Sequence, residues 1–254
     1  MSEVFLKPDF PDVIAQWREF FSLLRLAEGS RVLDVGSHLG DAPRLLSLTH
    51  PEVTQVVGVE KNQRLYEGAI RRNEAFPEVR NVEFCNCDGS QLPFADESFD
   101  AAYCVDTIEW VDDKVAFNNE IHRALKRSGV FLLAHADFET QTMLTDDPEF
   151  TRSVITAFTD QGKNGRIGRE VPLLCRRSRF KTAAPGVYTI IDESFREHTY
   201  AYYICSMMSE WITKGRDQYL VPRLGDWIAQ LKKRDAEGTF FYSINKYWAT
   251  CTKA

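Results

Sequence analysis

The chain lacks the cysteine spacing that marks a metal or disulfide framework. Its six cysteines, at 85, 87, 104, 175, 205 and 251, form no Cys-x-x-Cys pair. That argues against a zinc ribbon and against a secreted disulfide scaffold. Buried reduced thiols in a cytosolic protein are the plainer reading, with Cys85 and Cys87 two apart in a strand-like run. No apolar run approaches the length of a membrane span. The start, "MSEVFLKPDFPDV", has no apolar core of the signal-peptide kind. Basic charge is also scarce, with 31 Lys and Arg against 37 Asp and Glu and a net charge of −6. That balance disfavours a phosphate-backbone partner, whose binding needs clustered cations. The pairs Arg71-Arg72 and Arg176-Arg177 and the run Lys232-Lys233-Arg234 read as solvated helix faces. No repeat or low-complexity tract interrupts the chain. A soluble, cytoplasmic protein is predicted, with no nucleic-acid partner and no membrane span.

At 254 residues, 44% hydrophobic and 27% charged, the chain suits one large domain or one domain with an insertion. Asp12 is placed to cap a helix whose Ile14, Trp17, Phe21 and Leu24 share a face. "RVLDV" reads as a buried strand, and Asp41, as cap, and Pro43, as early helical proline, suit the start of the next helix. "QVVGVE" ends at Glu60 before a helix from about Asn62 to Phe76. "NVEFCN" and "FDAAYCV" are further strands. Asp112 or Asp113 caps a helix ending near Ser128-Gly129, which leads into "VFLLAHA". Strands alternating with helices imply a mostly parallel sheet covered on both faces. Helices near 147–160 and 167–178, the strand "GVYTII", a helical aromatic stretch at 194–236 and a terminal β-rich run complete the order. The expected divisions are 1–28 (N-terminal helical segment), 29–193 (core), 194–236 (helical insertion) and 237–254 (closing strands).

In an open α/β sheet, ligands sit at the carboxyl ends of the strands. Asp34, Gly36, Ser37 and Gly40 fall at the first such end, Glu60 at the second, Asp88-Gly89-Ser90 at the third and Val105 at the fourth. This series resembles the class I S-adenosylmethionine-dependent methyltransferases. "LPFADESFDAAYCVDTIEWVDD" is similar to the subgroup containing ubiquinone/menaquinone-biosynthesis and natural-product small-molecule enzymes. The resemblance is strongest over residues 29–137. It implies a Rossmann-like fold with seven strands, the last antiparallel, and a helical substrate lid. It further implies S-adenosylmethionine as cofactor, Glu60 on the ribose, Asp88 on the adenine and Lys61's stem over the adenine face. The implied reaction is methyl transfer to a small-molecule acceptor. A dinucleotide fingerprint fails at both later glycines, and the Asn/Asp-Pro-Pro-Tyr motif of amino-methylating nucleic-acid enzymes is replaced by "VDTIEW".

Several residues carry two readings. His38 stands where a glycine is usual: a tolerated substitution with its ring away from the cofactor, a functional ring beside the sulfonium or substrate, or a decayed site of a catalytically silent binding protein. His135 and Asp137 form a possible general base with an orienting acid, against a hydrogen-bonded structural histidine. Asp106 and Glu109 could line the methionine end, Glu109 equally capping the next helix. Arg44 either reaches a carboxylate from its helix or is a solvated surface arginine. Phe5, Phe10, Trp17 and "YAYYICSMMSEW" suggest a lid, each residue singly being more often core. No metal cluster is expected.

Overall fold

A computed structural model describes residues 11–254; Phe5, Phe10 and the side chain of Asp12 lie outside the described residues. The first helix, α1 (Pro11–Ser22), precedes β1 (Ser30–Val35), α2 (Asp41–Thr49), β2 (Val53–Val59), α3 (Gln63–Glu74) and β3 (Val82–Cys85). Next come β4 (Phe99–Val105), α4 (Lys114–Ala124), β5 (Leu125–Ala136) and the two-residue β6 (Thr142–Met143). Helices α5 (Pro148–Gln161) and α6 (Val171–Arg177) lead to β7 (Lys181–Asp192). Helices α7 (Tyr200–Lys214) and α8 (Val221–Ala236) then lead to β8 (Tyr242–Thr252).

The main sheet runs β3-β2-β1-β4-β5-β8-β7, the first five strands parallel and β8 antiparallel to both neighbours. This is the expected seven-stranded sheet with its last strand antiparallel. The short β6 pairs with the start of β8 as an eighth strand. Order reverses between β1 and β4, which opens a crevice at their carboxyl ends.

Alternation along the strands sorts the core. Leu33, Phe131 and Leu133 face α4 and α6 with Phe117 and Leu174, whereas Val32, Tyr103 and Leu132 face α1 and α2 with Phe20, Phe21 and Leu46. A further apolar cluster joins α5, α7 and α8 through Phe158, Ile204, Met208 and Trp227. Trp227 is 1% exposed, and its indole N–H donates to Thr151 Oγ1 at 3.0 Å. The cap is therefore wider than the 194–236 insertion. Its α5 comes from the stretch assigned to the core, because a helix with an apolar face must bury it against something.

Local chemistry departs from expectation at two helix boundaries. Asp41 is the first residue of α2, and Gly40, at φ 78°, holds the N-cap position. Helix α4 stops at Ala124, and the left-handed residue beyond it is Ser128, at φ 63°. Asp113 caps α4 by accepting the Ala116 N–H.

Candidate active site

Strand β1 ends in a turn that leans on β2, with the N–H groups of Gly36 and Ser37 both donating to the Val59 carbonyl. Gly36 has φ 91°, and a Cβ there would lie 2.0 Å from Thr107 Oγ1. At Gly40 a Cβ would lie 2.4 Å from the Phe84 ring. Both positions require glycine for conformation and for space. His38 also takes a left-handed φ of 50°, at some cost to a residue with a side chain. Burial first, then the cationic Arg72, lowers its pKa to about 4. The ring is thus held neutral near Arg72 of α3.

Arg44 is buried, not solvated. Its guanidinium donates to the Leu39 carbonyl at 2.7 Å and to Asp41, and packs over Phe76. Burial pushes the Asp41 carboxyl up to about 6, against the opposing pull of Arg44 and Arg72. His38 and Asp41 consequently drive opposite pH dependences. A depressed histidine contributes stability above pH 6.5 that is lost as pH falls toward 4; a raised aspartate contributes stability near pH 4 that is lost as pH rises through 6. Denaturation from pH 4 to 6 should show stability falling with pH in His38→Asn and rising in Asp41→Asn; parallel slopes would refute the opposition.

Glu60, just beyond β2, accepts the His38 N–H at 3.1 Å on Oε2 and the Asn62 N–H at 2.8 Å on Oε1. Asn62 in turn caps α3 through Arg64 and Leu65. Asp88 is exposed and accepts the Ser90 N–H at 2.9 Å, which with Lys61 holds its pKa below the usual carboxylate range. Lys61 Nζ lies 3.4 Å from Asp88 and so bridges the second and third strand-end loops. Gly89 is wedged where a Cβ would meet Val35 and Phe117. Val105 closes this side at the tip of β4. Asp34 lies beneath the turn beside Tyr103, and burial raises its pKa well above the usual carboxylate value.

The other side of the crevice differs from expectation. His135 is 1% exposed, its Nδ1 2.7 Å from the Ala136 carbonyl and its Nε2 turned to Glu109 Oε2 at 3.7 Å. Nδ1 is taken up by the backbone, whereas Nε2 is buried without a hydrogen-bond partner. Asp137 does not orient His135. It is fully buried and gripped by Arg169 through both carboxylate oxygens, and it caps the turn at Phe138–Thr140. Glu109 is no helix cap; it is buried and accepts the Asn164 N–H at 3.2 Å.

Sequence reasoning missed Lys246. It is 3% exposed, and its ammonium donates to Asp106 Oδ2 and lies 5.9 Å from the Tyr200 ring. The signal was its phase in β8, four and two residues after buried Tyr242 and Ile244. Asp106 takes a strained φ of 55°, and its Oδ1 accepts the Ala136 N–H. Burial opposes its ionisation, but Lys246 and His135 outweigh it and lower its pKa. Lys246→Met should cost about 2 kcal/mol, less than a fully buried pair because Asp106 is 41% exposed. Adding Asp106→Asn should restore at least half in urea denaturation; no recovery would mean the pair is not the source.

Among the described residues, no group of three or more His, Cys, Asp or Glu is placed to hold a metal, and no helix is long and apolar enough to cross a membrane. Two open grooves of about 370 and 490 Å³ lie on the cap and share no residue with the crevice.

Residues 33–133 match a family model described as a methyltransferase domain. The ubiquinone/menaquinone biosynthesis C-methyltransferase UbiE of Geotalea uraniireducens is 30% identical over 115 residues, 45% of this chain and 49% of that protein. The chain spans about half the length of the curated relatives it matches. A solved putative methyltransferase from Bacillus halodurans superposes with a TM-score of 0.64 at 16% identity, covering 94% of this chain and 99% of that one. Phosphoethanolamine N-methyltransferase 2 of Haemonchus contortus was solved with phosphomonomethylethanolamine and S-adenosylhomocysteine. It superposes at a TM-score of 0.56 and 17% identity, covering 94% and 52%. Residues 33–133 thus match a methyltransferase domain, and the chain as a whole has the fold of those solved proteins.

Proposed function

We propose that this protein binds S-adenosylmethionine in the crevice between β1, β2, β3 and β4 and methylates a small-molecule acceptor admitted from the cap side. The observation that carries the reading is the pair of carboxylates, Glu60 and Asp88, at successive strand ends and joined across Lys61. The residues present suit this cofactor. Ser37 Oγ is buried without a hydrogen-bond partner, a polar atom awaiting one beside the turn. Each Glu60 oxygen spends one acceptor site on a backbone N–H and keeps another for a ribose hydroxyl. Asp88 is exposed and held ionised, ready to accept from an adenine amino group. Gly36, Gly40, Gly89, Ser90 and Val105 supply close backbone walls, and Lys61's methylenes cover a ring face.

S-adenosylmethionine, when bound, supplies an electrophilic methyl group on sulfonium and leaves as S-adenosylhomocysteine. The protein's part is alignment and exclusion of water. Asp106 stands at the boundary between the two halves. Its oxygens turn to Ala136 on β5 and Lys246 on β8, away from β1 to β3, and Tyr200 lies above the same pair. That side, under α7, is where the acceptor docks. His135 is 1% exposed, and its unpartnered Nε2 could serve as a base only to an acceptor that reaches into this buried site.

Titration calorimetry with S-adenosylmethionine and S-adenosylhomocysteine tests the binding, and absence of heat at millimolar ligand removes the proposal. A metabolite screen with labelled methyl donor tests the transfer. Binding without transfer to any metabolite selects the silent binding protein instead.

A further inference from the structure

Cys85 closes β3 and Cys87 follows two residues later, so both side chains leave the same side of an extended run. Their sulfurs are 3.4 Å apart. Both thiols are partly exposed, whereas Cys104, Cys175, Cys205 and Cys251 are buried. A disulfide needs a separation of about 2.05 Å, so the sulfurs must approach by about 1.4 Å more.

The tripeptide 85–87 is tied to both carboxylate loops. The Cys85 carbonyl accepts the Glu60 N–H at 3.1 Å, the Asn86 amide donates to the Glu60 carbonyl at 2.8 Å, and Asp88 follows Cys87 directly. Gly89 cannot yield, being wedged against Val35 and Phe117. Any displacement of Cys87 must therefore be taken up at Asp88. Burial, followed by the adjacent Cys85 thiol, pushes the Cys87 thiol up to about 12, which makes it a slow nucleophile near neutral pH.

We propose that Cys85 and Cys87 are a modification site, a dithiol that closes reversibly to a disulfide and in doing so displaces Asp88 and weakens adenosine binding. Two S–H bonds break and one S–S bond forms. The two protons and two electrons pass to a small-molecule disulfide or azo oxidant, such as oxidised glutathione or diamide. The affinity effect rests on the cofactor reading above; the bond itself does not.

The full chain, treated with diamide in its native state, is alkylated, mapped by mass spectrometry and titrated with S-adenosylhomocysteine. The expected result is a bridge within the peptide holding residues 85 and 87. Affinity should fall at least about tenfold, a difference of about 1.4 kcal/mol, and return on reduction. Cys85→Ser and Cys87→Ser should bind as the reduced protein does and ignore diamide. A map with no 85–87 bridge, one joining only Cys175 and Cys251, or a bridged protein of unchanged affinity would each overturn the proposal. If the reduced protein binds no S-adenosylhomocysteine, the cofactor reading and the affinity half fall together, and the mass map alone decides the bond.

Discussion

Gly36→Ala is expected to lower the unfolding free energy by about 4 kcal/mol, read by urea or thermal denaturation. Two costs combine. A non-glycine residue at φ 91° carries strain of roughly 1–3 kcal/mol. The added methyl would also lie 2.0 Å from Thr107 Oγ1, so Thr107 must rotate and give up its bond to the Val105 carbonyl. That loss is worth about 1 kcal/mol, besides the displaced packing. Thr107→Ala removes the two nearest atoms, so the double variant should recover part of the loss but keep the conformational share. A double variant as unstable as Gly36→Ala would show that crowding at Thr107 contributes nothing. The turn is thus demanding even before a ligand is considered, which is why glycine alone is weak evidence of binding.

Glu60→Gln is expected to weaken S-adenosylhomocysteine binding at least about a hundredfold while lowering the melting temperature by a few degrees. Hydrogen bonds to a charged group contribute roughly 1.5–3 kcal/mol each, and two ribose hydroxyls would lose that assistance. The thermal cost follows from the intramolecular role. The His38 and Asn62 N–H groups both donate to Glu60, and a carboxamide can accept through only one of its two terminal atoms. Asp88→Ala should weaken binding with less thermal loss, since Asp88 is exposed and its partners are the adjacent Ser90 turn and the exposed Lys61. Calorimetry and melting on the same preparations separate the two effects. Unchanged affinity in both variants would remove the ribose and adenine assignments together.

Glu60, Asp88 and the glycines were legible because strand ends are marked by local pattern, and loops following parallel strands converge on one crevice. The failures share a cause as well. Asp137 lies two residues from His135, yet its partner is Arg169, 32 positions away. Lys246 meets Asp106 across 140 positions. Tertiary packing chooses such pairs, and hydropathy periods carry no record of the choice. Arg44 looked solvated for the same reason, since the carbonyls of Leu39 and Ala69 that receive it become neighbours only once α2 and α3 flank the turn. Helix α5 showed an apolar face in the sequence, but nothing local said that its cover would be α7 and α8.

The division of that helical layer into two stretches, separated in the chain by β7, constrains any excision. Removing residues 194–236 alone would uncover Val154 and Phe158 and take away the indole that Thr151 meets. A tolerated trimming would have to delete 148–161 as well. The layer is also joined to the sheet at separate points along the chain, on both sides of α5 and of the α7–α8 stretch.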